Sequence, residues 1–168
     1  MSRHRFHGDP ERFAITAKFI ADRFGRSVHH IADVAGGQGM LARLLTKKHN
    51  YDAEVVDPRG WTLRGVGAQA TPFRSTDASY YDLVVGLHPD EATSAVVEAA
   101  LVRPVLLVPC CNFWDASRRL GTRPLVDAIG AWYSENGVRF EIVALDFRGP
   151  KNLALVSSPP QTPPRTSP

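Results

Sequence analysis

The sequence is short of lysine, of cysteine and of long apolar runs. Its 168 residues carry 20 Lys and Arg, but lysine occurs only at positions 18, 47, 48 and 151, so the basic side chains are overwhelmingly arginine. Only two cysteines are present, Cys110 and Cys111, and they are neighbours. Adjacent thiols are badly placed to bridge each other or to close a zinc site alone, so no metal site is expected and a reduced compartment fits. No apolar stretch approaches the roughly 20 residues that a membrane helix needs. The basic tip at 1–7 is not followed by an apolar signal core, and a soluble, cytoplasmic protein is expected. The net charge of +3 permits a phosphate-bearing partner but does not demand one.

What is present suffices for one core. Apolar residues make up 43% and charged residues 22% of a length that suits a single domain over 1–158. Asp9-Pro10-Glu11 reads as a helix start, with Phe13, Ala17, Ile20 and Phe24 on one face and Gly25 as the stop, giving a flanking helix over 9–25. Strand 31–35, a turn at Gly36, Gly37 and Gly39, helix 40–48 and strand 53–56 ending in Asp57-Pro58 then compose a βαβ unit. Residues 59–80 are hard to read, with a short third strand expected at 71–74. Strand 82–86, a helix opening at Pro89-Asp90 and running to about 101, strand 105–108 and helix 125–135 follow. Strands 140–145 and 152–157 are joined by too few residues for a helical crossover, so they form an antiparallel hairpin. The tail with Pro159, Pro160, Pro163 and Pro164 is expected to be disordered.

A strand that feeds a glycine turn into a helix N-terminus aims backbone amides and a partial positive charge at an approaching ligand. Gly37 and Gly39 let that ligand come close because no β-carbon intervenes. Asp57, ending the next strand, stands where a ribose would lie and can accept both of its hydroxyl hydrogens. Asp33, inside the first strand, can meet a positive ammonium.

Asp33-x-Ala35-x-Gly37-x-Gly39 resembles the first motif of class I S-adenosylmethionine-dependent methyltransferases, with Ala35 in place of the first glycine. The likeness extends over 31–157. It implies an α/β Rossmann-like sandwich whose mostly parallel sheet ends in an antiparallel hairpin, in strand order 3-2-1-4-5-7-6. It also implies S-adenosyl-L-methionine as cofactor, held by Asp33, Ala35, Gly36, Gly37, Gly39, Asp57 and Pro58, with Gly86 and His88 beside it. A nicotinamide-dependent oxidoreductase is disfavoured by the hairpin.

Acceptor residues in this family follow strands four and five, where the sequence reads Gly86-Leu87-His88-Pro89-Asp90 and Pro109-Cys110-Cys111-Asn112-Phe113-Trp114. No Asn or Asp followed by Pro-Pro and an aromatic succeeds strand four, so the amino-adenine enzymes are not matched. The lysine gap excludes the lysine-rich tetrad of one large RNA 2′-O-methyltransferase group. Leu87-His88 with Asp90-Glu91-Ala92-Thr93, and the cysteine pair, look like motifs of the tRNA acceptor-stem 2′-O-methyltransferase branch. The cysteine and glycine of that histidine motif and the accessory zinc-binding segments are missing.

His88, Asp90 and Asn112 are the catalytic candidates, His88 because its imidazole titrates near neutrality. The same histidine could cap the next helix or bond a carbonyl. Cys110 and Cys111 read as small buried residues before nucleophiles, and Phe113 and Trp114 as stacking or core side chains. Arg118, Arg119 and Arg123 could grip phosphate or lie on a solvated face. RNA is slightly favoured over a small molecule as acceptor, and a non-catalytic cofactor- or partner-binding module is the alternative. The oligomeric state stays open.

Overall fold

A computed structural model describes residues 8–161. The basic tip and most of the proline-rich tail lie outside them; Pro159, Pro160 and Gln161 have no regular structure. Helix α1, Arg12–Phe24, starts later than Asp9-Pro10-Glu11 suggested: Glu11 is its N-cap with no side-chain cap, and the Asp9 carboxylate accepts the Glu11 N–H at 3.0 Å in a turn ahead of the helix. Its other oxygen accepts the Arg148 N–H at 2.8 Å, tying the helix start to the far end of the chain. Phe13, Ala17, Ile20 and Phe24 all face the core beneath the helix. Burying Ile20 alone is worth about 1.5 to 3 kcal/mol.

Seven strands follow: β1 His30–Val34, β2 Asp52–Val56, β3 Gly67–Gln69, β4 Leu83–Leu87, β5 Val105–Val108, β6 Arg139–Ala144 and β7 Leu153–Ser158. They form one sheet in the order β3-β2-β1-β4-β5-β7-β6. The first five are parallel, while β7 runs antiparallel to β5 and to β6. This is the expected order, and the terminal hairpin is in place. β4 and β5 are buried throughout, as central parallel strands covered on both faces must be. One face packs under α1 and α2, Met40–His49; the other packs under α3, Thr93–Ala99, and α4, Thr122–Glu135.

Two expectations fail. The third strand is at 67–69, not 71–74; all three of its residues are exposed, so no apolar alternation marked it. Phe73 instead anchors a loop by inserting into the core, and Ser75–Tyr80 is a 3-10 turn. The helix after β4 is also shorter than expected. Asp90 has φ 48°, outside the α region, so Asp90–Ala92 forms a 3-10 turn and the α-helix starts at Thr93. Among the described residues no helix is long and apolar enough to cross a membrane.

Candidate active site

The parallel strands deliver their carboxyl ends to one edge, the position where open α/β sheets bind ligands. At the end of β1 the chain turns sharply. Ala35, at φ 54°, donates its N–H to the Val56 carbonyl at 2.9 Å, and Gly39 N–H closes the turn onto the Gly36 carbonyl at 2.9 Å. The three glycines then do different work. A β-carbon on Gly36 would lie 2.5 Å from the Asp33 carboxylate. One on Gly39 would lie 2.9 Å from both Val55 and Val66. One on Gly37 would meet only the Arg59 guanidinium, at 3.9 Å. Gly36 and Gly39 are therefore required by the protein's own packing, and of the three only Gly37 has room for a β-carbon.

Asp33 sits behind this turn. It is 1% exposed, accepts the Ala42 N–H at 3.2 Å, and is pushed up to about 7 by burial, against that hydrogen bond and with help from the nearby Asp57 charge. Expected to meet an ammonium, it braces the first turn of α2 from inside in this structure. The carboxylate points inward because Gly36 leaves it the space a β-carbon would fill.

Asp57 is where the ribose acceptor was expected, ending β2 at the cleft. One oxygen, Oδ2, accepts the Gly37 N–H at 2.9 Å, and the other accepts the Arg59 N–H at 2.9 Å. Arg59 adds its side chain: Nε donates at 2.9 Å to Oδ1 and Nη2 at 2.6 Å to Oδ2. Burial pushes the Asp57 carboxyl up, but these four donors and the Arg59 charge outweigh it and hold it below its usual range. Arg59 lies over the Trp61 ring at 4.9 Å and is 40% exposed in its side chain. Pro58 also lines the cleft, as does Ala35.

The opposite wall comes from the exits of β4 and β5. His88 has φ 57° and continues the ladder by donating its N–H to the Val108 carbonyl at 2.9 Å. Its ring is turned from the cleft: Nε2 donates to the Lys151 carbonyl at 2.9 Å, and the ring meets Phe147 edge-on. Burial lowers its pKa, against the hydrogen bond to the Lys151 carbonyl. His88 thus bonds a carbonyl and caps no helix. Gly86 packs behind Pro89, a cleft-lining residue, and against Val96 and Leu107.

Asn112 uses its whole side chain locally. Its amide donates to the Asp115 and Arg118 carbonyls at 2.6 and 2.7 Å, and its oxygen accepts the Asp115 N–H at 2.9 Å. It organises the 112–118 loop and offers no group to a substrate. Asp90, in contrast, is exposed and lines the cleft; Cys110 Sγ donates to its Oδ1 at 3.1 Å. Burial and this carboxylate push the Cys110 thiol up to about 12. Neither cysteine is buried as expected: Cys110 is half-buried and Cys111 exposed in the cleft. Arg118 and Arg123 are paired with Asp115 and Asp127.

Between the walls lies a cleft of about 730 Å³, within the range of small-molecule sites. Phe73, Pro72, Ala92, Ala95 and Phe113 give it apolar sides. Its charged lining is Asp57, Asp90 and Glu91 against Arg59. Sequence reasoning missed Arg59 and Glu91. The only signal for Arg59 was its position two residues past Asp57, which lets a side chain fold back onto the carboxylate.

No protein-family model matches the sequence, and no curated protein matches it. Solved structures do. The sugar N-methyltransferase KedS8 from a Streptoalloteichus species is 15% identical, with 96% of this chain and 97% of that one covered at a TM-score of 0.60. CalS10, an amino pentose methyltransferase from Micromonospora echinaspora solved with S-adenosylmethionine bound, is 14% identical over 88% and 90% of the two chains, at 0.57. The plantazolicin methyltransferase BpumL, solved with S-adenosylhomocysteine, is 11% identical over 88% and 84%, at 0.59. The chain has the class I methyltransferase fold.

Proposed function

We propose that this chain is an S-adenosylmethionine-dependent methyltransferase acting on a small acceptor that is neutral or cationic. The observation that carries the reading is the cleft's charge. Three carboxylates, one of them paired with the single guanidinium, line the cleft beside the glycine turn. Such a lining attracts a sulfonium and repels the pyrophosphate of a dinucleotide. It repels the RNA backbone too, and two of the three arginines that were candidates for gripping phosphate are already paired. The sugar N-methyltransferase and the amino pentose methyltransferase that share the fold fit this choice of acceptor.

The residues present suit the cofactor. Asp57 can accept ribose hydroxyls once the Arg59 guanidinium leaves, while the Gly37 and Arg59 N–H groups keep the carboxylate aimed. Gly37 leaves open space beside the turn, and Phe73 and Ala92 offer apolar surface to an adenine. The cofactor brings an activated methyl group, so the protein needs mainly to align the acceptor and exclude water. Glu91 reaches the cleft from the other wall beside Asp90 and can hold or deprotonate an amine or hydroxyl; His88 and Asn112 take no part in the reaction. Single-turnover assays with radiolabelled cofactor, one against a metabolite extract and one against total RNA, test this. Label in small molecules is the expected result. Label in RNA alone would overturn the acceptor class, and label in neither would leave a cofactor-binding module.

A further inference from the structure

We infer that Asp90, Cys110 and Cys111 form a binding site for a thiophilic divalent cation, zinc, at the acceptor wall of the cleft. Two adjacent cysteines cannot close such a site, but the fold supplies a third ligand. β4 and β5 are paired through Leu87 and Val108, so the chain just past each strand emerges side by side. The three ligand atoms, two Sγ and one carboxylate oxygen, all lie within 4.8 Å of one another, and Cys110 Sγ is already 3.1 Å from Asp90 Oδ1. A zinc ion bound at about 2.3 Å from sulfur and about 2.1 Å from oxygen holds tetrahedral ligands roughly 3.5 to 3.8 Å apart. Small side-chain rotations therefore close the triad.

Two further features suit an ion. Asp90 is held in the left-handed region, at φ 48°, two residues after His88 at φ 57°, and strain of this kind persists where the surroundings fix it for a purpose. The conformation turns the Asp90 carboxylate to the thiols. Lys151 Nζ stands 3.6 Å from Cys111 Sγ. With both thiols ionised the ligand set carries three negative charges; zinc and Lys151 together neutralise them. Three protein ligands leave a fourth position, and Asp90 and Cys111 face it into the cleft. An open zinc site acidifies whatever binds there, which suits activation of an acceptor.

The test needs no cofactor, so its outcome is independent of the methyl-transfer reading. The full chain, freshly reduced, is titrated with zinc and separately with cobalt(II), whose thiolate charge-transfer absorption reports sulfur ligands. One ion per chain with that absorption is expected. Cys110→Ser and Cys111→Ser should each weaken zinc binding at least about tenfold, and Asp90→Asn should weaken it less while keeping the fold, since asparagine tolerates positive φ. Melting temperatures of the zinc-free variants confirm that each remains folded. Zinc affinity unchanged in both serine variants, or cobalt bound without the thiolate band, would place the ion on surface histidines and overturn the site. A reduced chain that binds no zinc would overturn it as well.

Discussion

The two walls of the cleft are built on different terms. On the β1–β2 side, Asp33 and Asp57 are almost fully buried and the turn between them is fixed by backbone hydrogen bonds from Ala35, Gly37 and Gly39. On the β4–β5 side, Asp90, Glu91, Cys111 and Phe113 are exposed on strained or irregular backbone. The first wall is a rigid cradle suited to an unchanging ligand. The second projects reactive side chains from loops that can vary, which is how one fold serves many acceptors.

The sharpest way to break this contrast is one substitution placed twice. Gly39→Val should cost several kcal/mol, on the order of 3 or more, because its β-carbon would overlap Val55 and Val66 at a residue with φ 81°. A drop in melting temperature or loss of soluble protein checks it. Gly37→Val, two residues earlier, meets no neighbour but Arg59. It should stay folded, at a smaller cost for its positive φ, and lose cofactor binding instead. Equal damage to folding by both would mean that the turn is not divided between packing and ligand.

Asp57→Ala should weaken S-adenosylmethionine binding at least about tenfold, since hydrogen bonds to a charged acceptor are worth roughly 1.5 to 3 kcal/mol. Arg59→Ala should do the opposite and tighten binding by roughly two- to fivefold, the scale of a part-exposed ion pair that no longer competes for the carboxylate. Calorimetry on both variants reads the signs. Weaker binding in Arg59→Ala would make the guanidinium a contact, not a competitor.

Asp33 gives the cradle a pH dependence of its own. Its carboxyl is raised from an ordinary value near 3.8 to about 7, so the folded state prefers it protonated. The stability it contributes is complete below about 4 and is lost as pH rises through about 7. Asp33→Asn should therefore flatten the fall in melting temperature between those limits relative to the parent chain. A parallel fall in both proteins would show that the carboxyl titrates normally.

The smallest effect on the reaction belongs to His88. His88→Ala removes one hydrogen bond, to the Lys151 carbonyl, and should lower stability by about 1 kcal/mol. The methyl-transfer rate per folded molecule should hardly change. A rate loss of about a hundredfold, with a neutral-range ionisation missing from the pH profile, would restore it as the base.

These outcomes follow how legible each wall was. The βαβ cradle is local: apolar runs, a glycine turn and Asp57 lie within a few tens of residues, and their periodicity fixes the strands and the turn. β3 escaped because three exposed residues carry no pattern, and Arg59 because its fold-back onto Asp57 is a rotamer choice. The acceptor wall is assembled by strand pairing. Asp90 meets Cys110 across 20 residues of chain, and His88 meets Lys151 across 63, so spacing did not reveal that one points into the cleft and the other away. Asn112 was misleading for a different reason: its amide satisfies a loop, which a lone asparagine after a strand does not announce.

The central claim is that the acidic cleft above the Gly37 turn takes a cationic S-adenosyl donor. Calorimetric titration of the intact chain with S-adenosylmethionine and, in parallel, with NAD tests it most directly. The account predicts one S-adenosylmethionine bound per chain, abolished in Gly37→Val, and no measurable heat with NAD. Binding of NAD in preference to S-adenosylmethionine, or S-adenosylmethionine binding that survives Gly37→Val unchanged, would contradict it.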